Sequence, residues 1–219
     1  MYNVLILAGP SAAGKTTVAE ALLSNPDTSF ELVRSLTTRK RRGDGFDEEY
    51  LYTDRAGFEK RLLDGGILEY TEYAGEMYGT PHSEIERIDR EGKTPLLILD
   101  MNGVRSLKAR EDILNVCAIY VYCDYRVLSD RLARRYLCGE PSEADAIRYE
   151  KRMAQNFKDF SEMSENAELF YALVENVGSV ENASASTLGL LEAFLNGVPR
   201  ESEQILSQVE KIKKSLPEI

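Results

Sequence analysis

One stretch limits the architecture more than any other: GPSAAGKTT, from Gly9 to Thr17. It follows Tyr2–Ala8, a short run rich in Val, Ile and Leu, as expected of a strand buried on both faces. After it, Thr16–Leu23 reads as a helix closed by Ser-Asn-Pro. Gly9, Gly14, Lys15 and Thr16 stand at the spacing G-x-x-x-x-G-K-[ST], and the strand before and helix after are the context that a phosphate-binding loop needs. Glycines let backbone N–H groups curl around phosphate oxygens, and the helix N-terminus adds partial positive charge. Lys15 neutralises the terminal phosphates, and the Thr16 hydroxyl can ligate Mg²⁺. Gly9, Pro10, Ser11, Ala12, Ala13, Gly14, Lys15, Thr16 and Thr17 are therefore expected to hold a nucleoside triphosphate.

The rest of the chain supplies the frame for that loop. Leu96–Asp100, Val116–Cys123 and Leu169–Val174 read as further strands, and Ile67–Tyr73 alternates like one. Helices are expected from Thr53 or Asp54 to Leu63, and over Pro81–Glu91, Val127–Arg135, Asp145–Phe160 and Ser184–Leu195. Ile205, Val209, Ile212 and Leu216 form a helical stripe in the tail. Strands alternating with helices imply an α/β fold, a parallel sheet with helices on both faces. Residues 34–84 break the rhythm and read as an inserted region carrying a substrate site. The core is then 1–33 and 85–198, with a lid around 125–152 and a helical tail over 199–219.

Charge and composition exclude several roles. A net charge of −10 disfavours nucleic acid as a partner, because an acidic protein repels polyphosphate chains at long range. The basic cluster Arg39, Lys40, Arg41, Arg42 is diluted at once by Asp44, Asp47, Glu48 and Glu49, which suits a small anion held at short range. Three cysteines without metal-like spacing read as reduced thiols, and the single histidine, His82, argues against histidine metal sites. No apolar run approaches a membrane span, and Tyr2–Ala8 enters the glycine loop directly, as a first strand rather than a signal peptide. The expected location is the cytoplasm.

SLTTRKRR, DEEYLY, ILEY, EMYGTP, LDMNGV and EKRMAQ follow GPSAAGKTT in the order and nearly the spacing of guanylate kinases. Over about residues 4 to 195 the chain resembles that family. The resemblance implies a P-loop NTPase-type fold with an inserted mixed α/β GMP-binding region and a helical lid. It also implies phosphoryl transfer from ATP to GMP in purine metabolism, with ATP and Mg²⁺ required, and a monomer or homodimer. By resemblance, Ser35, Arg39, Arg42, Tyr50 and Tyr78 surround the GMP phosphate, a dianion suited to arginine forks. Glu69 matches the guanine reader, accepting from N1–H and the 2-amino group, while Thr80 matches a donor to O6. Asp100 matches an aspartate near guanine and the metal. Arg135 and Arg152 match charges over the transferring phosphoryl group, with Arg131 beside them, and Asn176 falls at the adenine contact. Lys40, Arg41, Arg134 and Arg148 match no role and read as solvated. Closure of the 34–84 region and the lid is expected to exclude water.

Taken singly, each residue has a plainer reading. Arg39 and Arg42 can be surface charges, Glu69 the polar face of a strand, Tyr50 and Tyr78 core aromatics, and Thr80 and Asp100 caps. Two other functions fit parts of the pattern: a guanylate-kinase-like module that binds phosphopeptides, and a kinase of the same fold for a ribose bisphosphate. An intact Lys15-Thr16 disfavours the first, and Glu69 with Thr80 disfavours the second. The chain also departs from the family. Ala12 replaces a common glycine, with little effect expected, and the 43–49 loop is one residue short, with Asp44 for a usual glutamate. Ile98 stands where an aspartate is usual, the lid differs over Tyr136–Ile147, and the tail from Pro199 is extra to the pattern.

Overall fold

The computed structural model describes residues 1–41, 50–73 and 75–216. The chain forms two compact units, Met1–Ile6 with Leu23–Val116, and Leu7–Leu22 with Cys117–Ile219. Strands β1 (Tyr2–Ala8) and β8 (Leu114–Tyr122) contribute residues to both.

The first unit adds β2 (Phe30–Leu32), β3 (Ser35–Thr37), β4 (Tyr50–Tyr52), β5 (Ile67–Tyr73), β6 (Glu76–Pro81) and β7 (Thr94–Ile98). Its helices are α2 (Arg55–Leu63), α3 (His82–Arg90) and α4 (Met101–Lys108). A four-stranded sheet runs β4-β3-β6-β5, with β3 parallel to β4 and antiparallel to β6. Leu36, Phe58, Ile67 and Met77 form its core, with Leu51 and Leu62 against them. Asp54, rather than Thr53, caps α2 by accepting from the Gly57 N–H.

The second unit contains α1 (Lys15–Ser24, through Leu22), α5 (Tyr125–Tyr136), α6 (Glu143–Glu165), β9 (Ala172–Glu175), α7 (Val180–Leu195) and α8 (Ser202–Ser215). A Ser142–Asp145 capping box starts α6. Ser179 caps α7, which therefore begins before the expected Ser184. The tail stripe is a packed helix, with Ile205, Val209 and Ile212 buried. Hydrogen bonding orders the larger sheet β2-β7-β1-β8-β9, with parallel pairing at β2–β7 and β8–β9.

Three features differ from the expected elements. β2, β3 and β4 are three residues each, too short for a period to register. Strand β7 ends at Ile98, and Asp100 lies beyond it as the cap of α4, a helix the periodicity did not reveal. A 3₁₀ turn at Ala167–Leu169 delays β9 to Ala172.

One ionic cluster braces the first unit. Glu84, on the first turn of α3, accepts from Arg34 Nε and Nη2 at 2.8 and 2.9 Å and from Arg87 Nε at 3.0 Å. Burial opposes its charge, but the hydrogen bonds and charges of Arg34 and Arg87 prevail and hold the carboxyl down at about 2. A folded value below the ordinary 4.5 means that this stabilisation is present above about pH 4.5 and is lost as pH falls towards 2. Glu84→Gln should lower the urea midpoint at pH 7, and the gap to wild type should close between about pH 4.5 and 2. A gap independent of pH would show that the carboxylate charge is not what matters.

Candidate active site

The glycine loop joins β1 to α1 in the second unit. Gly9 adopts φ 142°, and a Cβ there would lie 2.0 Å from the Val121 carbonyl oxygen, so the loop leaves the strand at a point that only glycine can occupy. The loop borders a cavity of about 430 Å³ lined by Ser11, Ala12, Gly14, Lys15, Thr16 and Thr17, with Arg131, Arg135 and Asn176. Thr16 and Thr17 are exposed.

Lys15 Nζ donates to the carbonyls of Gly9 at 2.7 Å and Pro10 at 2.9 Å. Burial brings its ammonium down to about 8; Asp159 opposes that shift and the Arg152 charge adds to it. The side chain therefore lies over its own loop, with its ammonium bonded to two backbone carbonyls.

Arg131 and Asn176 grip the loop from outside. Arg131 Nη1 donates to Ala12 O at 3.1 Å, and its Nη2 donates to Asn176 O at 3.2 Å. Asn176 is buried and donates from Nδ2 to Ala13 O at 2.8 Å. Arg135 lines the cavity with its guanidinium 5.6 Å from the Tyr136 ring centre. Arg152 is exposed on α6.

Ala12 has φ 66°, the left-handed region. The replacement of the family's glycine is therefore not neutral to the backbone, because a Cβ there costs about 1–2 kcal/mol. Glycine recovers that but loses about 0.4–1 kcal/mol through its freer unfolded chain. Ala12→Gly should therefore raise the melting temperature by about 2 °C. A lower melting temperature would argue against strain at this residue.

In the first unit the register of the smaller sheet gathers the residues expected around the GMP phosphate. Ser35 pairs with Tyr50, and Thr37 with both Tyr52 and Tyr78. The Arg39 guanidinium lies 4.8 Å from the Tyr50 ring centre, and its Nη2 donates to the Tyr52 hydroxyl at 3.4 Å. Tyr50 and Tyr78 meet edge to face at 6.1 Å. Tyr52 was not among the expected site residues. Arg41, expected to be merely solvated, lies over the Tyr52 ring at 4.3 Å, although it is exposed. Arg42 and the 43–49 loop lie outside the described residues.

Glu69 on β5 and Thr80 on β6 come together, with the Thr80 hydroxyl donating to Glu69 Oε1 at 2.5 Å. Thr80 is therefore not a helix cap; Pro81 precedes α3 without a side-chain cap bond. Gly79 permits the close approach of the two strands, since a Cβ there would lie 2.8 Å from Glu69 O. Burial pushes the Glu69 carboxyl up, Asp100 adds to the shift, and the Thr80 bonds oppose it. Asp100 Oδ1 accepts from the Gly103 N–H at 2.9 Å, so its plainer role as a cap is realised, while its charge still reaches Glu69. Ile98 ends β7 and brings no ionisable group.

Sequence reading missed Asn156. It is fully buried on α6, accepts from the Ser11 N–H and donates to the Ser11 carbonyl. Its one signal was a polar residue in line with Phe160 and Met163 on the buried stripe of that helix.

Comparison with known proteins gives the family. A family model described as "Guanylate kinase" matches residues 1–193. A guanylate kinase of Lactobacillus delbrueckii subsp. bulgaricus is 34% identical over 194 residues, covering 87% of this chain and 88% of the relative. One from Lactobacillus acidophilus is 33% identical over 210 residues, covering 95% and 97%. That match reaches into α8, so the tail is not an addition peculiar to this chain. The crystal structure of guanylate kinase from Anaplasma phagocytophilum shares the fold, with a TM-score of 0.59 and 21% identity over 99% of this chain and 97% of its own.

Proposed function

This chain belongs to the guanylate kinase family, and on that premise we propose how its residues divide the transfer of the γ-phosphoryl group of ATP to GMP. The observation that carries the choice of acceptor is the pairing of Glu69 with Thr80. Guanine offers N1–H and a 2-amino group to the two carboxylate oxygens. On binding it replaces the Thr80 hydroxyl at Glu69 and frees that proton for O6. Adenine has no N1–H or 2-amino group and turns its N1 acceptor towards the half-buried carboxylate, a mismatch that costs on the order of 10⁴-fold in selectivity.

Arg39, Arg42, Ser35, Tyr50 and Tyr78 hold the GMP phosphate. The Tyr50 ring and the Tyr52 hydroxyl hold the Arg39 guanidinium, which limits the entropy lost on binding. The loop from Gly9 to Thr17 takes the ATP phosphates, and Asn176 borders the nucleoside end. The acceptor is already a phosphate oxygen, so no strong base is needed. Lys15, Arg135 and Arg152 supply charge to the equatorial oxygens as the in-line transfer proceeds. Among the described residues no cluster of His, Cys, Asp or Glu is built to hold a metal. That fits Mg²⁺ carried by the phosphates, with the exposed Thr16 hydroxyl and water as its other ligands. Bound there, Mg²⁺ neutralises phosphate charge.

No described helix is long and apolar enough to cross a membrane. We place the protein in the cytoplasm, acting on free nucleotides without a nucleic-acid partner, as a monomer or homodimer. A coupled assay of ADP release across GMP, AMP, CMP and UMP tests the assignment. GMP should be preferred over AMP by on the order of 10⁴-fold, and equal rates would refute it.

A further inference from the structure

We propose that Asn156 is a positioning residue of the phosphate-binding loop, coupling the Arg152-bearing helix α6 to the peptide of Ser11. The proposal rests on reading the cavity beside that loop as the triphosphate site. Asn156 is 0% exposed. Burying a carboxamide is costly unless both its ends are bonded. Here both ends meet one residue 145 positions away: the Ser11 N–H donates to Oδ1 at 2.7 Å, and Nδ2 donates to Ser11 O at 3.0 Å. An amide is the side-chain group that offers a donor and an acceptor side by side, matching the N–H and C=O of Ser11.

Three consecutive loop residues are thereby held by three different side chains. Asn156 holds Ser11, Arg131 holds Ala12 O, and Asn176 holds Ala13 O. Ala12, between the outer two, is the residue with a left-handed backbone. A loop fixed in this shape before nucleotide arrives spends less binding energy on ordering. Arg152 precedes Asn156 by four residues, one helical turn, so the same bond sets the height of the Arg152 turn relative to the loop. Its charge is already felt at Lys15.

The test is ADP and GMP affinity by titration calorimetry on the whole chain, wild type against Asn156→Asp and Asn156→Ala. Aspartate keeps the volume and the acceptor but sets a carboxylate against the Ser11 carbonyl; alanine removes both bonds without repulsion. ADP affinity should fall about 10-fold or more in Asn156→Asp and less in Asn156→Ala, with GMP affinity within twofold of wild type in both. A residue that only fills space would give the reverse order, because aspartate conserves volume, and that result would overturn the proposal. So would an unchanged ADP affinity in Asn156→Asp. Should the variants not fold, hydrogen exchange on the wild type decides: the Ser11 amide should be protected without nucleotide, and fast exchange there would equally overturn it. Affinity and exchange, rather than turnover, are read, so the kinase assignment can fail while this inference stands.

Discussion

Lys15→Ala should reduce ATP-dependent phosphorylation of GMP by on the order of 10³-fold, the scale for removing one preorganised charge from a phosphoryl or oxyanion site. GMP binding, measured by calorimetry, should persist, because the residues proposed to hold GMP belong to the other unit. The free enzyme adds a second readout. With the ammonium brought down to about 8 by burial, kcat/KM for ATP should fall as pH rises above 8, since the neutral amine no longer attracts phosphate. Under saturating ATP the phosphates favour the charged form, so the kcat profile should break at higher pH. Turnover of Lys15→Ala within tenfold of wild type would remove the loop from the chemistry.

Glu69→Gln should cut kcat/KM for GMP by about 10³-fold. It replaces one charged acceptor with an NH₂ group facing the guanine N1–H, losing about 1.5–3 kcal/mol for the bond and 1–3 for the unpaired donor. The pH profile separates charge from shape. Glu69 must be ionised to accept both guanine donors, and its carboxyl is held above the ordinary 4.5. Wild-type kcat/KM for GMP should therefore decline on the acid side starting above that value, and the decline should be absent in Glu69→Gln. A variant that retains both GMP preference and the acid limb would place guanine recognition elsewhere.

The two sites were legible from sequence to different depths. The loop from Gly9 to Thr17 could be read outright, because its chemistry is carried by neighbours in the chain and by the strand and helix around it. The proposed guanine site was legible only as a resemblance: Glu69 alone is an ordinary strand residue, and Thr80 before Pro81 an ordinary cap. Folding brings the two side chains together by register. Pairing of β5 with β6 sets the Thr80 hydroxyl on Glu69, and Pro81 starts α3 without it. At Asp100 the capping role is realised, because α4 begins there and its first turn needs an acceptor.

What the chain alone determined are the longer strands and helices and the glycine loop that joins β1 to α1. These follow from local periodicity, glycine placement and fixed spacing, which short-range sterics translate into backbone shape. What only the tertiary structure decided is how the loop is held. Asn156 on Ser11, Arg131 on Ala12 and Asn176 on Ala13 join residues more than a hundred positions apart, each bond between one side chain and one backbone group. Such a contact leaves no period and no motif. It exists because burying a polar group demands a partner, and the partner is whatever backbone the fold brings within reach.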